Sequence, residues 1–106
     1  PSGWDFFLLI LILNIYMSID LTTFEALLKE KGFPAPVLVE RDAGSLGSHC
    51  HDFEPMALVL DGEIAIEING KTTVYRSGDV FHLEPNQLHS ERYGLKGVRY
   101  LASRKE

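Results

Sequence analysis

The chain reads as an all-β domain, a sandwich or barrel, preceded by one short helix. Three observations lead to that class. From Val37 onward the apolar residues fall in short runs separated by turn signals. Within them, Ile64, Ile66 and Ile68 alternate with Glu63, Ala65 and Glu67, the period of a half-buried strand. Helical spacing, by contrast, is confined to a segment ahead of Pro34. A length of 106 residues suits a single domain able to bury a modest core. No internal repeat or low-complexity tract interrupts it.

Residues 1–16 form an apolar extension. Phe6 to Leu13 is unbroken, and Ile15, Tyr16 and Met17 continue it past Asn14. Such a run is short of the roughly 18 apolar residues of a membrane span. It also has no basic head and no small residues of the kind that mark a secretory signal. Met17-Ser18-Ile19-Asp20 looks like a start of translation, so the extension is either foreign to the domain or a functional addition. As an addition it is expected to form a subunit interface or an added edge strand, since a large apolar patch must be covered. The domain proper is then residues 17–106.

Leu21, Phe24, Leu27 and Leu28 recur at helical spacing, Thr22 and Glu25 suit a capping box, and Gly32 suits a C-terminal stop. A helix over about 23–31 is predicted. Pro34 and Pro36 end it. Beyond Val37, Met56 to Leu60 reads as a strand closed by an Asp61-Gly62 turn. The isoleucine strand then turns at Asn69-Gly70, a pair that tolerates positive φ, and returns over Thr72 to Tyr75. Ser77-Gly78-Asp79 precedes a strand from Val80 to Leu83. Two further strands are predicted near 87–92 and 97–102. Leu58, Leu60, Ile64, Ile66 and Val80 are the expected core.

The charge balance narrows the partners. Ten basic against fifteen acidic residues give a net charge of −5, with the bases scattered, which argues against nucleic acid. The single cysteine excludes an internal disulfide and suits a reducing, cytoplasmic setting, and no membrane association is expected.

The chemistry concentrates in three histidines. His49 and His51 at i and i+2 on a strand share a face, and His89 from a distant strand could join them around one ion. Neutral imidazoles bind zinc, iron, manganese, nickel or copper, and three protein ligands with an open position describe a reactive centre. Cys50, between them, reads as a small buried hydrophobe. His82 reads as a structural or solvated histidine, and Tyr93 as a core or interface aromatic.

From Gly44 to Tyr93 the chain resembles the cupin superfamily. His49-Cys50-His51 and Gly62 follow its first motif, with Gly44 one residue closer to His49 than the motif has it. Gly78 to His89 follows the second, with Glu84-Pro85-Asn86 at its PxG element and Tyr93 in place of a final asparagine. Asn86 can stand for that glycine because asparagine visits the left-handed region. The resemblance implies a double-stranded β-helix, the jelly-roll barrel, with one divalent transition metal held by His49, His51 and His89. The position of the superfamily's glutamate ligand is Pro55. Glu54, one residue early, faces away on a regular strand and becomes the fourth ligand only if a bulge at Pro55 re-aims it. Otherwise water or substrate completes the site. The resemblance further implies a small-molecule ligand or substrate and a homodimer. Two functions follow from it: a metal-dependent protein of undetermined reaction, or a metal-independent small-ligand sensor.

Overall fold

Asp20 opens the helix of the domain. In the computed structural model, which describes residues 8–12, 14 and 18–106, helix α1 spans Leu21–Glu30. Asp20 is its N-cap: the side-chain Oδ1 accepts the Thr23 amide at 2.8 Å, and this bond lowers the carboxyl's pKa. The expected Thr22 capping box is therefore corrected. An aspartate accepts the free amide of the first turn as well as a threonine does, and here it sits two residues earlier. At the other end Gly32, at φ 78°, lets Phe33 N donate to Leu28 O at 2.8 Å and Gly32 N to Lys29 O at 3.3 Å. These are the paired bonds of a Schellman stop.

Six antiparallel strands follow: β1 Val37–Arg41, β2 Gly44–His49, β3 Glu54–Ile68, β4 Lys71–Arg76, β5 Val80–His82 and β6 His89–Lys105. The sheet runs β1-β6-β3-β4, with β2 also pairing to β6 and β5 to β3. The isoleucine hairpin forms as predicted. Ile68 faces Lys71 across Asn69 and Gly70, whose φ values of 52° and 81° allow the tight two-residue connection.

Two sequence boundaries are corrected. Asp61-Gly62 is not a turn but an irregularity inside β3, where the register against β6 shifts between Val59 and Asp61 and again between Gly62 and Ile64. Gly62 has φ 76°, and a Cβ there would collide with the Gly97 carbonyl oxygen, so only glycine lets the strands approach this closely. Likewise the two strands expected near 87–92 and 97–102 are the single β6, which passes through Gly97 at φ 74°.

Most buried apolar side chains of the described residues fall into two clusters. The inner one gathers Ala57, Val59, Ile64, Ile66, Phe81 and Tyr100 between the strands. The outer one packs Phe24, Leu27 and Leu28 of α1 onto Met56, Leu58 and Val80. Both faces of the first half of β3 are thus covered, which explains its unbroken apolar run. The irregularity at Asp61-Gly62 then reverses the alternation: even-numbered Leu58 lies outside, whereas even-numbered Ile64 and Ile66 lie inside. Of the expected core, Leu58, Ile64, Ile66 and Val80 are buried, and Leu60 is partly buried against the outer cluster.

The N-terminal extension is helical over residues 8–12, not an edge strand. Ile10 is buried in the outer cluster, while Leu8, Leu9, Leu11 and Ile12 are exposed. The Asn14 carboxamide donates to Val80 O at 2.6 Å and accepts from Val80 N at 2.9 Å. One side chain thereby satisfies the backbone groups that a neighbouring strand would otherwise take. Residues 1–7, 13 and 15–17, with the proposed start at Met17 and part of the apolar run, lie outside the described residues. Among the described residues no helix is long and apolar enough to cross a membrane.

Candidate metal centre

The end of β2 and the start of β6 create the site. His49 faces His89 in the β2–β6 register, which is irregular between Leu46 and His49. β2 stops at His49, so His51 follows the strand rather than continuing it. The chain nevertheless brings the rings together: their centroids lie 5.0 Å apart for His49 and His51, 4.3 Å for His49 and His89, and 5.5 Å for His51 and His89. Asn86 assists at the back of the site. In the left-handed region at φ 61°, as expected, it donates its amide to His51 O at 2.6 Å.

The fourth group is Glu91. One ligand atom from each of His49, His51, His89 and Glu91 can be chosen so that all lie within 4.8 Å of one another. Glu91 is two residues after His89 on β6, so strand alternation places both on one face. Applying to His89 the i, i+2 argument used for His49 and His51 would have found it. The motif comparison looked for the carboxylate only on β3.

Glu54 is not in this group. Its Oε2 lies 2.5 Å from His82 Nε2. Met56, two residues on, belongs to the outer cluster, and Phe81, next to His82, belongs to the inner one. Alternation therefore puts the Glu54–His82 pair on the helix side of the sheet, and no bulge at Pro55 re-aims the carboxylate. His82 is buried, as a structural histidine would be. Cys50, expected to be buried, is exposed, because the chain leaves the strand at His49.

Hydrogen bonds orient the imidazoles. His49 Nδ1 lies 2.7 Å from Gly47 O, and His89 Nδ1 lies 2.9 Å from Gln87 O. A carbonyl can only accept, so each Nδ1 carries a proton and each Nε2 is turned toward the cluster. Both Nε2 atoms face the same carboxylate oxygen: Glu91 Oε2 is 3.2 Å from His49 and 3.1 Å from His89. The His49 contact has the distance of an ion pair but not the direction of a hydrogen bond, and that buried Nε2 has no hydrogen-bond partner. His89 Nε2, by contrast, meets Glu91 Oε2 with hydrogen-bond geometry, so the orphaned donor atom of the cluster is that of His49. The donor set, three imidazoles and a carboxylate, suits a divalent transition metal.

Tyr93 completes the arrangement. Its hydroxyl donates to Glu91 Oε1 at 3.0 Å, leaving Oε2 for the histidines. The tyrosine also packs against the inner cluster, so its core role and its polar contact coexist. Around it, burial lowers the His51 pKa first, followed by the electrostatic influence that His49 and His89 exert when protonated, with Arg104 adding to the effect and Glu91 opposing it. That shift favours the neutral, ligating form.

Burial, and then the Glu91 carboxylate, push the Tyr93 hydroxyl up to about 12, and burial also raises Tyr75 and Tyr100. A folded-state pKa above that of the unfolded chain, about 10 for tyrosine, means that unfolding favours ionisation. Stability should therefore be intact below pH 10 and decline as pH rises toward 12. Urea midpoints across that interval check this, and a flat profile contradicts it.

A separate cavity of about 670 Å³ lies under the N-terminal helix, lined by Ile10, Ile66, Ile68, Tyr75, His82 and Gln87 among others. None of the four clustered donors lines it. Ligating chemistry resides in the histidine cluster, and we place the candidate centre there rather than in the larger space.

Comparison with known proteins agrees with this geometry. Residues 37–94, more than half of the chain, match the family model described as a cupin domain. No curated protein matches. Among solved structures, a cupin-2 domain protein from Shewanella frigidimarina is 16% identical with a TM-score of 0.57, over 65% of this chain and 67% of its own. A DUF861 family protein from Thermotoga maritima is 21% identical with a TM-score of 0.59, over 80% and 91%. The DMSP lyase DddQ from Ruegeria pomeroyi is 18% identical with a TM-score of 0.58, over 65% of this chain but only 36% of that one. At such identities the likeness carries the fold alone, and the chain spans about a third of the lyase. The motif spacing, the antiparallel barrel and the matched segment agree: this chain belongs to the cupin family.

Proposed function

We propose that the protein is a metal-binding cupin that holds one divalent transition metal through His49, His51, His89 and Glu91, and that it binds or acts on a small molecule beside that ion. The observation that carries the proposal is the convergence of three imidazoles and the Glu91 carboxylate, with the buried Nε2 of His49 left without a hydrogen-bond partner among them. A metal-independent sensor has no need of that orphaned nitrogen. When bound, such an ion supplies Lewis acidity and a coordination position open to substrate or water.

The chain's own residues do the positioning. Gly47 O and Gln87 O orient the two imidazoles, and Tyr93 holds the carboxylate. Elemental analysis of protein purified without chelator should find close to one transition metal per chain, lost in His89→Ala. A metal-free wild type would sink the proposal.

A further inference from the structure

Pro55 stands on the inner wall of the barrel, where it offers no polar group, and an arginine faces it. Pro55 pairs with Arg104 in the β3–β6 register. Ala57, two residues after Pro55, and Ala102, two before Arg104, both belong to the inner cluster, so by alternation Pro55 and Arg104 are on the inner face. Directly opposed positions on one face bring their Cβ atoms to about 5 Å. A carboxylate at position 55 would therefore meet the arginine, and proline cannot.

The guanidinium stays close to the centre. It lies 4.7 Å from the centroid of the Phe53 ring, and that ring stacks on His51 at 4.8 Å with an interplanar angle of 18°. Arg76 and Arg99 each have an acid, Glu63 and Glu40 respectively. Among the described residues no carboxylate comes within ion-pair distance of Arg104. The nearest acid in sequence to Pro55, Glu54, is engaged with His82 on the opposite face. An exposed arginine steadied on an aromatic ring, with a planar fork of donors beside a cation site, suits an oxyanion.

We infer that the site takes a small carboxylate-bearing ligand, whose carboxylate is held by Arg104 opposite Pro55. The inference rests on the metal reading above and adds a substrate class to it. Cobalt(II) is a suitable probe, because its visible absorption reports changes around the ion. Acetate, titrated into the cobalt-loaded protein, should perturb that absorption, whereas acetamide, its neutral counterpart, should do so far more weakly. Losing a charge-assisted contact of this kind corresponds to roughly a tenfold or greater loss of acetate affinity in Arg104→Gln. Arg104→Lys should fall between, and Arg99→Gln, on the outer surface, should behave as wild type.

Cobalt loading and thermal melting should be unchanged in all three variants. Equal acetate affinity in wild type and Arg104→Gln, with normal cobalt spectra in both, overturns the inference and leaves the metal reading standing. Failure of the wild type to take up cobalt overturns both.

Discussion

Glu91→Gln is expected to lower metal affinity by roughly a hundredfold, at or beyond the upper end of what the loss of a supporting carboxylate costs. Glu91 Oε2 is the one anionic oxygen shared by His49 and His89, and an amide in its place cannot balance the charge of a divalent ion. The metal-free protein should respond the other way. Without an ion, the carboxylate offers nothing to the partnerless Nε2 of His49, whereas a glutamine NH2 can donate to it. The unfolding midpoint of metal-free Glu91→Gln should therefore match or exceed that of the metal-free wild type. Glu54→Gln should leave affinity unchanged, since Glu54 bonds to His82 outside the cluster. Competition titrations against a chromogenic chelator, run on both variants, test this directly. A weakened Glu54→Gln beside an unaffected Glu91→Gln would reverse the assignment.

Phe24→Ala should destabilise the fold by about 3–5 kcal/mol, the range for deleting a fully buried aromatic side chain. Phe24 has no exposed surface, and it is the central contact of α1 with Met56, Leu58 and Val80. Against a total stability of about 5–15 kcal/mol for a domain, such a loss removes a third or more. It also uncovers the outer face of β3, whose inner face carries the barrel core. Phe24→Leu, which keeps most of the volume, should cost much less. Urea unfolding of both variants measures the difference, and a Phe24→Ala loss below about 1 kcal/mol would mean that the helix does not seal the sheet.

Much of this protein is legible because local chemistry and global fold agree. Asn69-Gly70 between alternating isoleucines can hardly form anything but a hairpin, and the Leu21 to Leu28 spacing places the helix. What misled was local in the same way. Asp61-Gly62 carries the signal of a turn, yet in β3 it serves as an irregularity, because Gly97 of the neighbouring strand approaches closely there. Thr22 and Glu25 have capping-box spacing, but Asp20 claims the cap. Cys50 looked buried only while the strand was assumed to continue through it.

The sequence by itself determined the family, the hairpin, the helix and the three imidazoles, since each is written in residue type and spacing along one stretch of chain. It also showed that Pro55 can offer no ligand. Tertiary structure decided between the candidate carboxylates, because which one joins the histidines depends on which strand faces reach the same space. Glu54 lies next to the expected position but on the wrong side of the sheet. Glu91 lies far from it in sequence but on the face of His89, and β2–β6 pairing brings His49 to the same oxygen.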